Sequence, residues 1–164
     1  MRVTTTADRR TFQEILEREH RYAVSLLRAF PSERIDDVSP DCRRSARDLA
    51  REHLNGYGHL QYLLQGRSLE MGVPERTSFH EIVARLWAVH AEMRDAIATI
   101  DGEGWNEPLR GPTGVDGIRW ETGRRAELAW MMLKDLSRHA AHLAIHLRQA
   151  REPDPAQEPA SLAG

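Results

Sequence analysis

The chain has 164 residues, a formal net charge of −2, 40% apolar and 29% charged residues, a size and balance that suit one domain with a sizeable core. Near-neutral charge with arginines spread along the chain argues against nucleic acid as a partner, because non-specific binding needs a basic face that releases counter-ions. No apolar run approaches the roughly 20 residues of a bilayer span, Met1 to Thr6 lack the apolar stretch of a secretory signal, and the lone Cys42 fits a reducing compartment, so the expected location is cytoplasmic, away from membranes.

Four segments have helical periodicity. In the first, from about Asp8 to Phe30, Phe12, Ile15, Leu16, Tyr22, Ala23, Leu26 and Leu27 recur at three- and four-residue steps and form one apolar stripe, which Pro31 ends. A polar connection, Ser32 to Arg44, follows. Its basic residues Arg43 and Arg44, with Arg47 and Arg51, read as a solvated helix start. Ser45 offers an N-cap with Asp48 three residues on, opening a second helix that runs to Gln65 and stops at Gly66. Ser78-Phe79-His80-Glu81 is a capping-box pattern and opens the third helix. Its stripe is Ile82, Val83, Leu86, Val89, Met93, Ile97 and Ile100. The fourth helix begins near Gly123, carries Leu128, Met132, Leu136, Leu143 and Leu147, and ends before Pro153.

Between the third and fourth helices lies a long connection, Asp101 to Glu121, with five glycines, Pro108, Pro112, Trp105 and Trp120. Loops of this length in compact domains are functional lids or disordered segments. Two indoles favour order, since large apolar rings repay it. Ile118 to Trp120 is a candidate hairpin arm. The expected fold is all-α, a four-helix bundle over residues 1–151. The Pro-rich acidic tail 152–164 has nothing to bury in a core and is expected to be disordered.

The densest chemistry lies in the fourth helix. Asp135, His139, His142 and His146 are spaced i, i+4, i+7, i+11 and fall within a wedge of roughly 60°. Such a stripe suits a metal or a proton-handling pocket. The competing reading is a structural Asp135–His139 pair, with His142 and His146 turned to solvent. In the second helix Glu52 lies on the line of Leu49, Gly56 and Leu63. Buried there, it needs a partner or a metal. At the edge, its stem is covered and its head is wet. His53 is one position on. His90 lies beside Leu86 and Met93 and is read as pointing inward, with a structural hydrogen bond as the favoured account. His20 is read as half-buried and satisfied by a neighbour, His80 as exposed.

Two stretches resemble the DinB/YfiT-like family of metalloenzymes. Ser45-Ala46-Arg47-Asp48-Leu49-Ala50 is similar to the family's opening of helix two. Leu128-Ala129-Trp130-Met131-Met132-Leu133-Lys134-Asp135, through His139, is similar to its helix four. Glu19-His20 and the Phe30-Pro31 stop fit a subgroup, and the resemblance covers roughly residues 8–150. Glu52 stands where the family has its helix-two histidine, Asp135 replaces the first histidine of helix four, and Ala140-Ala141-His142 replaces Arg-Gly-Gln. The resemblance therefore implies Glu52, Asp135 and His139 as ligands of a divalent metal (Mn, Fe, Ni or Zn). A set remodelled around His53, His139 and His142 is the alternative, and so is a lost site. The implied activity is metal-dependent thiol transfer or isomerisation on a small-molecule substrate or low-molecular-weight thiol. His142 or His90 would handle the proton, and the Trp105–Trp120 connection would cover the substrate. A homodimer is implied too, for which Trp87, Trp130 and Met131 would suit a surface. Beside it stands a metal-free bundle that binds a ligand or serves a stress response, warranted by the two replaced histidines.

Overall fold

The structure, a computed structural model, describes residues 5–66 and 77–152. The expected disordered tail lies, but for Glu152, outside the described residues. In chain order they form α1 (Thr5–Arg28), α2 (Ala46–Gln65), α3 (Phe79–Thr99), a one-turn helix α4 (Gly102–Trp105), β1 (Pro108–Thr113), β2 (Arg119–Arg124) and α5 (Arg125–Arg151). The chain is mostly helical. None of the described helices is long and apolar enough to cross a membrane.

The helix starts follow from local chemistry. Ser45 accepts from the Asp48 N–H while the Asp48 carboxylate accepts from the Ser45 N–H, and Ser78 and Glu81 repeat the arrangement at α3. Each cap satisfies two of the donors a helix start leaves open. Gly66 ends α2 in the left-handed region (φ 65°), where its missing Cβ removes the steric penalty.

The main helix contacts run from α1 to α3, α3 to α2, α2 to α5 and α5 back to α1. The core between them holds Phe12, Leu16, Leu49, Leu60, Ile82, Leu86, Met132, Leu136 and Leu143, all at most 1% exposed. The apolar residues on the inward faces of α2 (Leu49, Gly56, Leu60, Leu63, Leu64) and of α5 (Leu128, Met132, Leu136, Leu143, Leu147) are all buried. Val89 and Ile100 of α3 are only partly so.

The connection after α3 extends the candidate arm at Ile118 to Trp120 into two six-residue strands. It is an antiparallel hairpin, with Pro108 opposite Arg124 and Thr113 opposite Arg119. The strand extends through Gly123, so α5 begins at Arg125, later than the periodicity suggests. β1 rests on α2 and α5. Gly56 of α2 makes this possible: a Cβ there would meet Val115 Cγ1 at 2.5 Å and Leu136 Cδ2 at 2.9 Å. The bare backbone of α2 lets the turn of the hairpin settle onto the helices.

Candidate metal and proton-transfer site

Three elements meet at the hairpin turn. α2 brings Glu52, α5 brings His139, and the turn between β1 and β2 brings Asp116. One ligand atom from each lies within 4.8 Å of the other two. The Nε2–H of His139 donates to Glu52 Oε2 at 2.9 Å. His139 is buried, Glu52 has 22% of its side chain exposed, and Asp116 is on the surface.

Asp116 is delivered by its neighbours. Val115 is buried against Gly56, and Gly114 turns with φ 89°, a conformation L side chains rarely adopt. The Nδ1–H of buried His59 donates to the Gly114 carbonyl at 2.8 Å. Burial depresses the His59 pKa and the hydrogen bond only partly offsets this.

Arg44 bridges the two carboxylates. Its Nη1 donates to Glu52 Oε2 at 2.5 Å and to Asp116 Oδ1 at 3.0 Å. Burial pulls the guanidinium pKa down, but the Asp116 and Glu52 partners more than reverse this and hold it above its ordinary value. Burial likewise pushes the Asp116 carboxyl up, and Arg44, helped by the charges of His139 and Arg138, brings it below the usual carboxylate value. Asp116 is therefore ionised near neutrality.

Two of the three ligands that the resemblance implies come together. Glu52 and His139 meet; Asp135 is drawn elsewhere, its carboxylate taken by Arg119 Nη2 at 2.9 Å and Arg138 Nη2 at 3.4 Å. Asp116 takes its place in the cluster. His53 is buried behind His139, the rings stacked with centroids 5.8 Å apart, and among the described residues neither of its ring nitrogens has a hydrogen-bond partner. Burial above all, with His139 and His20 nearby, lowers its pKa to about 3, so it is a neutral imidazole. His142 is exposed, 6.4 Å ring to ring from His139, at the open side. His146 is buried instead, donating from Nε2 to the Asp37 carbonyl at 3.2 Å.

His90 belongs to a different group. Its Nε2–H donates to Glu17 at 2.6 Å and its ring stacks on His20 at 3.8 Å, while His20 Nδ1 shares a hydrogen bond with the Tyr57 hydroxyl at 3.1 Å. The structural account of His90 holds over a role beside His139. The two tryptophans also separate. Trp105 is a core residue, 1% exposed, packed on Phe12 and donating to Asp8, so it covers no substrate there. Trp120 is exposed and packs edge-on against Tyr62, with Arg110 over its ring. Trp130, expected at a surface, packs on Phe12 and shares Asp8.

Sequence reasoning missed Asp116 and Arg44. The glycines at 114 and 117 around Val115-Asp116 signalled a tight turn, which is the usual way to present a short carboxylate. Arg44 differs from the other arginines near the start of α2 only in lying directly before the N-cap. No protein-family model matches the chain, and neither does any curated protein or solved structure.

Proposed function

We propose that this chain is a DinB-like four-helix bundle and a divalent-metal-dependent enzyme of the thiol-transfer or isomerase type, with Glu52, Asp116 and His139 as its ligand set. The supporting observation is the convergence of these three donors from three separate elements within 4.8 Å. Two carboxylates and one imidazole suit Mn or Fe and are compatible with Zn or Ni. Three protein donors with an exposed side leave room for a substrate.

When bound, such an ion lowers the pKa of a coordinated water or thiol toward neutrality. The protein's own groups then have defined tasks. His139 would hold the ion through Nε2 as a neutral imidazole with its proton on Nδ1, which is buried and has no hydrogen-bond partner among the described residues. His142, exposed beside His139, is placed to exchange a proton between a substrate and solvent. His53, neutral and buried, packs behind His139 and keeps water from its inner face. A cytoplasmic homodimer is part of the same proposal, supported by the exposed Trp87 and Met131.

The second reading, a metal-free ligand-binding bundle, draws its support from Arg44, which already supplies a cation to Glu52 and Asp116. One experiment separates the two. Untagged protein is purified, its metal content measured, and its thermal midpoint followed with added Mn, Fe, Ni or Zn salts. The metal reading expects near-stoichiometric uptake and a raised midpoint, both lost in Glu52→Ala and His139→Ala. Background metal and an unmoved midpoint reject it in favour of the second reading.

A further inference from the structure

We propose that Arg44 is an exchangeable counter-ion: its guanidinium holds Glu52 and Asp116 until a divalent cation takes those carboxylates, and it then clamps the oxyanion of an anionic substrate. This rests on the metal reading above.

The guanidinium and a metal would compete for the same two carboxylates. Arg44 Nη1 lies 2.5 Å from one of Glu52's oxygens and 3.0 Å from one of Asp116's. With His139 these carboxylates form the one group of potential ligands found together among the described residues. Two cations in that space repel, so uptake of one displaces the other. Displacement is cheap, because the Arg44 side chain is 36% exposed and partly exposed ion pairs hold weakly.

The backbone is arranged to deliver this residue. Arg43 adopts φ 54°, in the left-handed region that a residue with a Cβ avoids. Its N–H donates to the Ser39 carbonyl at 2.8 Å, and the Ser39 N–H donates to the Arg44 carbonyl at 3.0 Å. These bonds fix the backbone of Arg44 and leave its side chain to swing. A solvated helix start would need no such turn.

Charge identifies what the freed guanidinium meets. Around the site Glu52, Asp116 and Asp135 face Arg44, Arg119 and Arg138, three negative charges against three positive. A divalent ion leaves this ring with two surplus positive charges. A substrate that restores balance is an anion, and a guanidinium fork fits carboxylate or phosphate-type oxygens with two parallel hydrogen bonds. The substrate class is therefore a small molecule carrying an oxyanion.

The test measures Mn2+ affinity by electron paramagnetic resonance, on the full chain, at constant ionic strength. The buffers contain chloride, acetate (a planar carboxylate) or sulfate (a tetrahedral oxyanion). In chloride, Arg44→Gln is expected to bind Mn2+ about fivefold more tightly than the unaltered protein, because the competitor is gone. In acetate or sulfate the unaltered protein is expected to gain at least about threefold and Arg44→Gln nothing; the better anion tells a carboxylate substrate from a phosphate-like one. Arg44→Lys keeps the charge without the fork and should bind Mn2+ as the unaltered protein does, with a smaller anion gain. It carries the test if Arg44→Gln does not fold. Equal affinities with no anion response overturn the proposal while the metal reading stands. Tighter binding by Arg44→Gln without an anion response overturns the clamp. Mn2+ bound by neither protein overturns the metal reading and this proposal together.

Discussion

Two carboxylate–imidazole pairs of similar length sit in this molecule, Glu17–His90 at 2.6 Å between α1 and α3 and Glu52–His139 at 2.9 Å between α2 and α5. Each carboxylate also takes an arginine, Arg21 at 2.7 Å and Arg44 at 2.5 Å. The difference lies in what else arrives. Arg21 comes from the same helix, one turn beyond Glu17, and His90 is backed by His20, itself bonded to Tyr57. That pair, though its Glu17 side chain is 30% exposed, draws its groups from two helices only. At Glu52 a third element adds Asp116, and an arginine from before α2 joins both carboxylates. A histidine with a glutamate is common structural chemistry; convergence of donors from separate elements with an open side makes a candidate site.

The comparison breaks most directly under paired substitutions. Glu52→Ala is expected to weaken Mn2+ binding by more than about a hundredfold, whereas Glu17→Ala should leave it within about twofold, because only Glu52 is proposed as a ligand. Titration calorimetry reads both, and equal losses would mean that the clusters are not distinct.

Acid separates the interior from the mouth. Burial above all, reinforced by neighbouring imidazoles, lowers the pKa of His20 and of His53 from 6.5 to about 3 in the folded protein. Between those values the unfolded chain binds protons that the folded one refuses, so stability rises with pH there. Stability from these residues is complete above pH 6.5 and is lost progressively as pH falls toward 3. The urea midpoint is expected to drop between pH 7 and pH 5, and a His20→Phe/His53→Phe variant should lose much of that slope.

The seat of the hairpin can be disturbed without touching a proposed ligand. Gly56→Ala puts a methyl where Val115 packs, and overpacking of this kind costs about 1–3 kcal/mol, read as a lower thermal midpoint. His59→Gln is gentler. It loosens the bond to the Gly114 carbonyl, worth roughly 1 kcal/mol, and should weaken Mn2+ binding about fivefold by letting Asp116 wander. An affinity that ignores both changes would remove Asp116 from the ligand set.

The helices were legible where local chemistry decides. Ser45 with Asp48, Ser78 with Glu81 and Gly66 set their boundaries through contacts a few residues apart, and the apolar stripes of α2 and α5 are all inside. Helical spacing places His139 inward and leaves Glu52 between core and edge, where its side chain is in fact 22% exposed. Asp135 looked equivalent to them because helical spacing gives a face and not a partner; Arg119, 16 residues away on the hairpin, claims it. Asp116 and Arg44 depend on contacts 72 residues apart, between segments with no periodicity. Of strand Arg119–Arg124 only the start, in the candidate arm Ile118 to Trp120, was legible, because its residues are mostly exposed and lack the alternation that marks a half-buried strand.

Asp116 rides on the five residues, 114–118, that join β1 to β2. Glu52 and His139 are bolted into helices, where a change of identity strains the core. At the hairpin tip such obligations are confined to Val115 and to Gly114, whose positive φ and His59-bound carbonyl hold the turn. Exchanging this short loop would therefore alter donor type, reach and charge in one cassette while the helical frame stays as it is, which makes the tip the natural place to retune which ion or which small anion the protein accepts.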